Sequence, residues 1–302
     1  MTTRSDASLR PPWPRKKLTF SPEVHAMKEV FRRHELRTVC EDAKCPNMSE
    51  CFSHREATFI VMGDRCTRRC SFCAIPTGKP APLDTLEPIR LARAVAELGL
   101  RHIVVTGVAR DDLGDGGASH YAACVREIRT HNPATTVEVL TSDFHEQESA
   151  IATLLREDLH VFNHNLETVE RLHREVRPQA RYDRSLRVLK RAKELRPDIF
   201  TKSGIMLGLG ETDDEVEQVL RDIRAHGVDV MTIGQYMQPL KRKSDVAAYA
   251  TLERFAHFEA FGKALGFALT LSGPYVRSSF AAGDAAALLG PRLNLPTESV
   301  QQ

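Results

Sequence analysis

The sequence predicts one α/β unit, a partial (β/α)6 barrel of the TIM type. Between residues 57 and 271, short apolar segments rich in β-branched residues alternate with amphipathic segments of helical period. This alternation predicts βα units around a parallel sheet, with right-handed crossovers that place the helices on one side. About six repeats are present, fewer than the eight of a closed barrel. The 302 residues, 42% of them hydrophobic, are sufficient for one large core.

The predicted elements follow from local patterns. A helix begins at Ser21-Pro22, because serine favours the N-cap and proline favours the first helical position. Strands are predicted at 57–62, 101–106, 136–141, 159–163, 199–207, 229–234 and 267–271. Helices are predicted at 119–129, 147–156, in one stretch after residue 163 to about residue 195, and at 213–226 and 252–265.

Charge and hydropathy argue against several classes of partner. Lys and Arg number 42 and Asp and Glu number 40, which gives a net charge of +2. Nucleic-acid binding requires a concentrated basic face, and no apolar run approaches the roughly 20 residues that span a bilayer. We therefore expect neither a nucleic-acid partner nor a membrane partner. Residues 1–20 are basic, rich in proline and without the apolar core of a secretory signal, which favours a flexible tail over a mitochondrial presequence.

Seven cysteines are present, and six of them lie between Cys40 and Cys73. A secreted disulfide framework is normally shorter, has an even number of cysteines and follows a signal peptide. The odd count and tight clustering instead indicate a reducing compartment and metal ligation, and we expect a cytoplasmic location. Cys124 lies apart in a helical pattern, where a free cysteine is usually a small buried hydrophobe.

The strongest motif is Cys66-x3-Cys70-x2-Cys73, directly after the first predicted strand. Iron–sulfur clusters normally take four cysteine ligands, so three thiolates in one loop leave one iron open. An open metal position can bind a substrate directly, as catalysis requires. Structural zinc is the alternative, but zinc sites usually need a second, distant pair of ligands, which the sequence lacks. The motif therefore favours a catalytic cluster.

A second group, Cys40-x4-Cys45-x5-Cys51, precedes the first. Together the two groups resemble lipoyl synthase, a family of the radical S-adenosylmethionine (SAM) superfamily, and the resemblance extends over almost the whole chain. The matching segments are 38–40, 45–47, 66–70, 76–78, 110–113, 115–117, 138–141, 162–165, 167–168, 176–178, 201–204, 208–212, 232–236, 272–274 and 276–279.

The resemblance implies two 4Fe–4S clusters and SAM as cofactors. Cys66, Cys70 and Cys73 would hold the first cluster, whose open iron binds SAM and cleaves it to a 5′-deoxyadenosyl radical. The implied ligands of the second, auxiliary cluster are Cys40, Cys45, Cys51 and Ser279, with Ser278 as the alternative to Ser279. A hydroxyl is a poorer partner for such a cluster than a thiolate, so it can release its iron when sulfur is removed.

The implied reaction is insertion of two sulfur atoms, drawn from the auxiliary cluster, at C6 and C8 of a protein-bound octanoyl group. The implied acceptor is a lipoyl-carrier domain, either a dehydrogenase E2 subunit or the glycine-cleavage H protein. Ferredoxin or flavodoxin would supply electrons. The predicted organisation is a flexible tail at 1–20, an N-terminal extension with the auxiliary cysteines at 21–56, the radical SAM barrel at 57–271 and a closing extension at 272–302.

Polar residues near the ends of predicted strands are candidates for SAM contacts. The segment Gly208-Leu209-Gly210-Glu211 is neither a dinucleotide fingerprint nor a P-loop, although its glycines allow a ligand to approach closely. Asn163, Asn165, Glu167 and Lys202 are candidates as well. Arg68 and Arg69 are either solvated charges or residues that tune the cluster and meet an acidic carrier.

The chain departs from the family pattern at three places. Ala109 and Phe280 stand where the family usually has Asp and Tyr, and residues 241–249 differ throughout. These changes spare every predicted cluster ligand but affect loops that can contact a substrate. They motivate a rival hypothesis, a radical SAM paralogue with another acceptor. Two rivals of different classes are a two-cluster electron-transfer protein and a zinc-binding structural protein.

Overall fold

The computed structural model describes residues 11–14, 16 and 21–279. Its strands are β1 Arg37–Thr38, β2 Thr58–Val61, β3 His102–Gly107, β4 Thr136–Leu140, β5 Val161–Asn163, β6 Phe200–Leu207, β7 Val230–Gln235 and β8 Leu269–Gly273. Its helices are α1 Pro22–Arg33, α2 Val39–Asp42, α3 Met48–Ser53, α4 Glu87–Leu98, α5 Ala118–His131, α6 Glu148–Leu155, α7 Glu170–Val176, α8 Tyr182–Leu195, α9 Asp213–Ala225 and α10 Leu252–Ala264.

The strands form one curved sheet in chain order, β1 to β8. β1 runs antiparallel to β2, and all later neighbours pair in parallel. Within the described part of the chain, each strand from β2 to β7 is followed by at least one helix, and β8 pairs with β7 alone. The predicted partial barrel with a parallel sheet is therefore confirmed, and it is unclosed.

Several elements differ from the prediction. The short elements β1, α2 and α3 and the helix α4 were not predicted; the N-cap residue of α4, Leu86, offers no capping side chain. The helical pattern predicted up to about residue 195 is present, but it is divided into two helices, α7 and α8. Pro178 lies between them; proline cannot continue a helix and disfavours helical backbone at the residue before it.

The interior of the barrel has an apolar floor and a polar layer. Val161, Phe200 and Val230 form a small core cluster with Leu269, separate from the two larger clusters. Alternate residues of a barrel strand face inward, so Lys202 follows Phe200 on the inner face of β6. The Lys202 Nζ lies 3.0 Å from Glu138 Oε2, and both side chains are at most 3% exposed. A buried ion pair thus lies within the barrel.

The C-terminal segment, residues 274–279, enters the barrel beside β6 and β7. A Cβ at Gly234 would lie 2.1 Å from the carbonyl oxygen of Val276, and a Cβ at Gly204 would lie 3.3 Å from Ser278 Oγ. These two glycines therefore provide the space that the segment occupies. None of the helices in the described residues is long and apolar enough to cross a membrane.

We expect Lys202→Met to lower the free energy of unfolding by about 3–5 kcal/mol, because it leaves the buried Glu138 carboxylate without its partner. Urea denaturation followed by circular dichroism measures this change. Lys190→Met, at an exposed position of α8, is the matched control. The double variant Glu138→Leu/Lys202→Met should recover most of the loss, and a single-variant effect below about 1 kcal/mol would contradict the prediction.

Candidate cluster sites at opposite ends of the barrel strands

The two cysteine groups lie at opposite ends of the parallel strands. Cys66 follows the carboxyl end of β2, the end at which barrel enzymes place their active sites. Cys40 follows β1, and because β1 is antiparallel to β2, the chain there returns toward the amino end of β2. A pocket at that end is lined by Ala57 and Thr58. The sheet therefore separates the two sites by about the length of a strand.

The loop of the first site is folded back on itself by backbone hydrogen bonds. The Cys66 N–H donates to Pro76 O at 2.9 Å, and the Gly78 N–H donates to Cys66 O at 3.0 Å. The Cys66 sulfur accepts the N–H groups of Arg68 and Ala109, each at 3.3 Å. Amide donors aimed at sulfur favour a thiolate, the form that binds metal.

Arg68 is a buried charge that holds this loop in place through ion pairs, and it is not solvated. Its side chain is 5% exposed, its Nε lies 2.9 Å from Asp111 Oδ2, and its Nη2 lies 2.6 Å from Asp143 Oδ1. Burial by itself raises the pKa of Asp143, but the hydrogen bond and charge of Arg68 outweigh it and hold that pKa below its usual value. Arg69, in contrast, is exposed, and its backbone N–H donates to Gln179 Oε1.

A strained turn follows Asp143. Phe144, His145 and Glu146 have φ angles of 45°, 51° and 62°, in the left-handed region that non-glycine residues rarely adopt. Each such residue costs on the order of 1–3 kcal/mol, and strain of this kind concentrates at functional sites. The turn brings His145 Nε2 to 2.8 Å from Asp111 Oδ1. No glycine or asparagine marks it, so sequence reasoning missed both the turn and the role of Asp143.

The thiols of Cys70 and Cys73 are protonated unless a metal displaces the proton. Burial, followed by the nearness of Cys70 and Cys66, raises the pKa of Cys73 to about 11. Burial likewise raises the pKa of Cys70. Cluster binding at this loop must therefore release protons.

Residues 241–249, which depart from the family pattern, lie against this loop. The Lys243 Nζ donates to Cys70 O at 3.2 Å, and Ser244 Oγ lies 2.6 Å from Ser71 Oγ. The Ser244 N–H also donates to Ser71 O at 3.0 Å. The altered segment thus supports the loop that carries the first cysteine group.

The second site joins the two ends of the described chain. Cys40 on α2, Cys45 in the following turn and Cys51 on α3 line one pocket together with Ser279. Ser278 does not line this pocket, and its hydroxyl accepts a hydrogen bond from Asn165 Nδ2 at 2.5 Å. The structure therefore brings Ser279, rather than Ser278, to the three cysteines.

Asn47 fixes this arrangement from the N-terminal side. It is 1% exposed, its Nδ2 donates to Tyr275 O at 2.7 Å, and its Oδ1 accepts from Lys16 Nζ at 2.9 Å. The Tyr275 hydroxyl in turn donates to Pro14 O at 2.7 Å. Residues near both ends of the chain thus hold the C-terminal segment beside α3.

The donor set of this pocket suits an iron–sulfur cluster. Burial, and then the nearness of Cys45, raises the pKa of Cys40 to about 12, and burial with both neighbours raises the pKa of Cys51. The three sulfurs are therefore close together. The half-buried Arg277 lies near Cys45, where its charge favours thiolates. Thiolates are the ligands that iron–sulfur clusters prefer.

No three His, Cys, Asp or Glu side chains among the described residues surround one point closely enough for a single metal ion. A cubane cluster assigns each thiolate to its own iron, so its ligands need not converge on one point.

The six candidates for SAM contacts divide into two groups. Lys202 and Asn163 both bind Glu138, and the Glu211 carboxylate accepts the N–H groups of Gly208 and Leu209 at 2.6 and 2.9 Å. These four candidate residues are thus already engaged within the chain. A Cβ at Gly208 would lie 2.5 Å from Ala248 O, so this glycine makes room for the chain itself.

Asn165 and Glu167 follow the carboxyl end of β5. Asn165 Nδ2 lies 3.1 Å from Glu167 Oε1, and Glu167 has a φ of 69°. Burial raises the pKa of Glu167, although the nearby Arg177 opposes the shift. Arg177 itself donates to Asn165 O at 2.7 Å. This cluster at the active end of the barrel remains the better candidate for a ligand contact.

Comparisons with known proteins identify the family to which the chain is similar. Residues 60–223 match the family model described as the Radical SAM superfamily. The chain is 51% identical over 278 residues to "Lipoyl synthase" of Thioalkalivibrio sulfidiphilus, and the aligned region covers 92% of this chain and 87% of that protein. It is 49% identical over 289 residues to "Lipoyl synthase, mitochondrial" of Branchiostoma floridae, and the aligned region covers 93% of this chain and 77% of that protein.

A solved structure shares the fold. The crystal structure of HydG, a maturase of the FeFe-hydrogenase, superposes with a TM-score of 0.58 at 15% identity and covers 84% of this chain and 57% of that chain.

We expect Arg68→Gln to weaken iron retention by the first cysteine group about 10- to 100-fold, because removing a partner that orients metal ligands has effects of this size. The measurement is iron remaining against a chelator, in a background in which Cys40, Cys45 and Cys51 are Ala. The neighbouring variant Arg69→Gln is the control, since that side chain is exposed. Equal retention by the two variants would contradict the role given to Arg68.

Proposed function

The chain belongs to the lipoyl synthase family of radical SAM enzymes, and from this premise we propose that it inserts sulfur at C6 and C8 of a protein-bound octanoyl group. The family assigns SAM and one 4Fe–4S cluster to the chain. The observation that supports sulfur insertion is the second pocket, which is lined by Cys40, Cys45, Cys51 and Ser279. A second cluster in that pocket would be the sulfur source.

The residues of the first site have distinct tasks in this proposal. Cys66, Cys70 and Cys73 hold the cluster that, with SAM bound, supplies a carbon-centred radical to remove hydrogen from an aliphatic carbon. Arg68 holds the loop in place through Asp111 and Asp143. Asn165 and Glu167, at the same end of the barrel, are the residues that we propose to contact SAM.

The residues of the second site hold and then release the sulfur source. The three thiolates bind strongly, while the Ser279 hydroxyl is the weakest donor of the set. That asymmetry suits a cluster that is consumed, since the iron on the oxygen ligand is the easiest to release. The half-buried Arg277 would stabilise the negative charge of the thiolates.

The placement of the two sites suits an acyl chain that reaches between them. β2 spans four residues, or roughly 13 Å at the usual rise of a strand. An octanoyl group on a flexible lysine arm could therefore lie between the two sites, with C6 and C8 within reach of the radical from one side and of sulfur from the other. We propose a lipoyl-carrier domain as the acceptor, either a dehydrogenase E2 subunit or the glycine-cleavage H protein.

Three further proposals complete the assignment. Ferredoxin or flavodoxin would reduce the first cluster. The division into an extension at 21–56, a barrel at 57–271 and a closing extension from 272 follows the positions of the two sites; Phe280 and most of the tail at 1–20 lie outside the described residues. We propose the cytoplasm as the location, because clustered free thiols suit a reducing compartment.

The test is the mass of an octanoylated carrier domain after anaerobic incubation with reconstituted protein, SAM and a strong reductant. We expect a gain of two sulfur atoms with loss of two hydrogens. Cys45→Ala should abolish this gain while SAM cleavage continues, because only the second site loses a ligand. Cys124→Ala is the matched control, since that cysteine is buried in α5 away from both sites.

Three results would overturn the proposal. Formation of 5′-deoxyadenosine with no change in the carrier would indicate another acceptor and direct attention to residues 241–249, which lie against the first cluster loop. Intact SAM under strongly reducing conditions would favour an electron-transfer protein. Sulfur insertion by Cys45→Ala at the unaltered rate would remove the second site from the reaction.

A further inference from the structure

His102, the first residue of β3, lines the second pocket with the three cysteines and Ser279. Its side chain is 7% exposed. Nothing in the two cysteine motifs points to this residue, because its place in the pocket comes from the pairing of β2 with β3. The roles proposed for the three thiolates and the serine hydroxyl therefore leave this imidazole without a function in the site.

The hydrogen bonds of the ring define its tautomer. The Nδ1 atom lies 2.7 Å from Thr136 Oγ1, and the Thr136 hydroxyl donates to Arg101 O at 3.3 Å. Because that hydroxyl has one proton, the Nδ1 atom carries the ring proton and donates it to Thr136. The Nε2 atom is then an unprotonated nitrogen with a free lone pair, the form of histidine that binds metals.

The Nε2 atom is buried and has no hydrogen-bond partner. Among the residues lining this pocket, all within the described part of the chain, His102 alone leaves a buried side-chain nitrogen or oxygen unpartnered. An unsatisfied buried polar atom is costly and calls for an explanation. A metal that approaches the atom would satisfy it, and a hydrogen bond donated by the other ring nitrogen is the usual arrangement around a metal-binding imidazole.

We propose that His102 Nε2 is a reserve iron ligand, which binds the iron that Ser279 releases when a sulfur leaves the second cluster. The inference rests on the proposed function. In the exchange, an iron–oxygen bond to Ser279 would break, an iron–nitrogen bond to His102 would form, and the serine oxygen would take a proton from water, whose hydroxide would leave to the solvent. No electron is transferred. The exchange keeps that iron in the pocket between the first and the second sulfur insertion.

The experiment observes the second site alone, in full-length protein with Cys66, Cys70 and Cys73 changed to Ala. Ser279→Ala imitates the loss of the serine ligand. The reduced cluster is studied by pulsed EPR in protein labelled with ¹⁵N-histidine and in unlabelled protein. We expect Ser279→Ala to show a histidine nitrogen coupling that changes with the label and is lost in Ser279→Ala/His102→Phe. His54→Phe, at an exposed position on the C-terminal side of α3, should retain the coupling.

The outcomes separate the inference from the proposed function. An intact cluster in Ser279→Ala without a nitrogen coupling overturns the role of His102 and leaves sulfur insertion unaffected. Failure of the Ser279-containing protein to bind any cluster at this pocket overturns the proposed function itself. If His102→Phe does not fold, Thr136→Val keeps the ring but frees Nδ1, and an unchanged coupling in Ser279→Ala/Thr136→Val would contradict the orientation of the ring by Thr136.

A second readout uses the active enzyme with both sites intact. We expect His102→Phe to form the singly thiolated carrier at the wild-type rate and the doubly thiolated product about tenfold more slowly, the lower end of effects seen when residues around a metal are changed. Equal slowing of both steps would indicate a merely structural role and would contradict the inference.

Discussion

The return of the C-terminal segment into the barrel is the constraint on which the second site depends. Ser279 can reach Cys40 and Cys51 only because residues 276–278 pass beside β6 and β7, where Gly204 and Gly234 leave room for them. Hydrogen bonds to Ser278 and to the backbone of Tyr275 then fix the segment. The site therefore requires both the barrel and segments that are distant along the chain.

Buried charge organises the remainder of the interior. Arg68 has two carboxylate partners, and Lys202 has Glu138. Pairing is what makes burial of a charge tolerable, while the gain over an apolar core is small. We therefore interpret these pairs as positioning devices. Arg68 holds the loop of the first cysteine group, and Lys202 links β6 to Glu138 of β4.

The sequence predicts what depends on local pattern. Strand and helix alternation gives the open barrel, and Cys66, Cys70 and Cys73 are recognisable because one loop carries all three. Ser279 is reachable only through the family resemblance, because its partners lie more than 200 residues away along the chain. The Arg68–Asp143 pair, the strained turn at His145 and the position of His102 depend on strand pairing and tertiary contact, which leave no periodic signal.

Under the proposed function, the two sites contrast in the way that a reusable and a consumable cofactor would require. The first lies in a single loop braced by backbone hydrogen bonds, amide donors to sulfur and a buried ion pair, so its thiolates are held through repeated turnovers. The second combines three thiolates from one end of the chain with a hydroxyl from the other. A ligand set assembled from separate segments can open without disturbing the barrel. A pocket built to lose sulfur must still retain iron until the second insertion, and an unpartnered imidazole beside the weakest ligand meets that requirement.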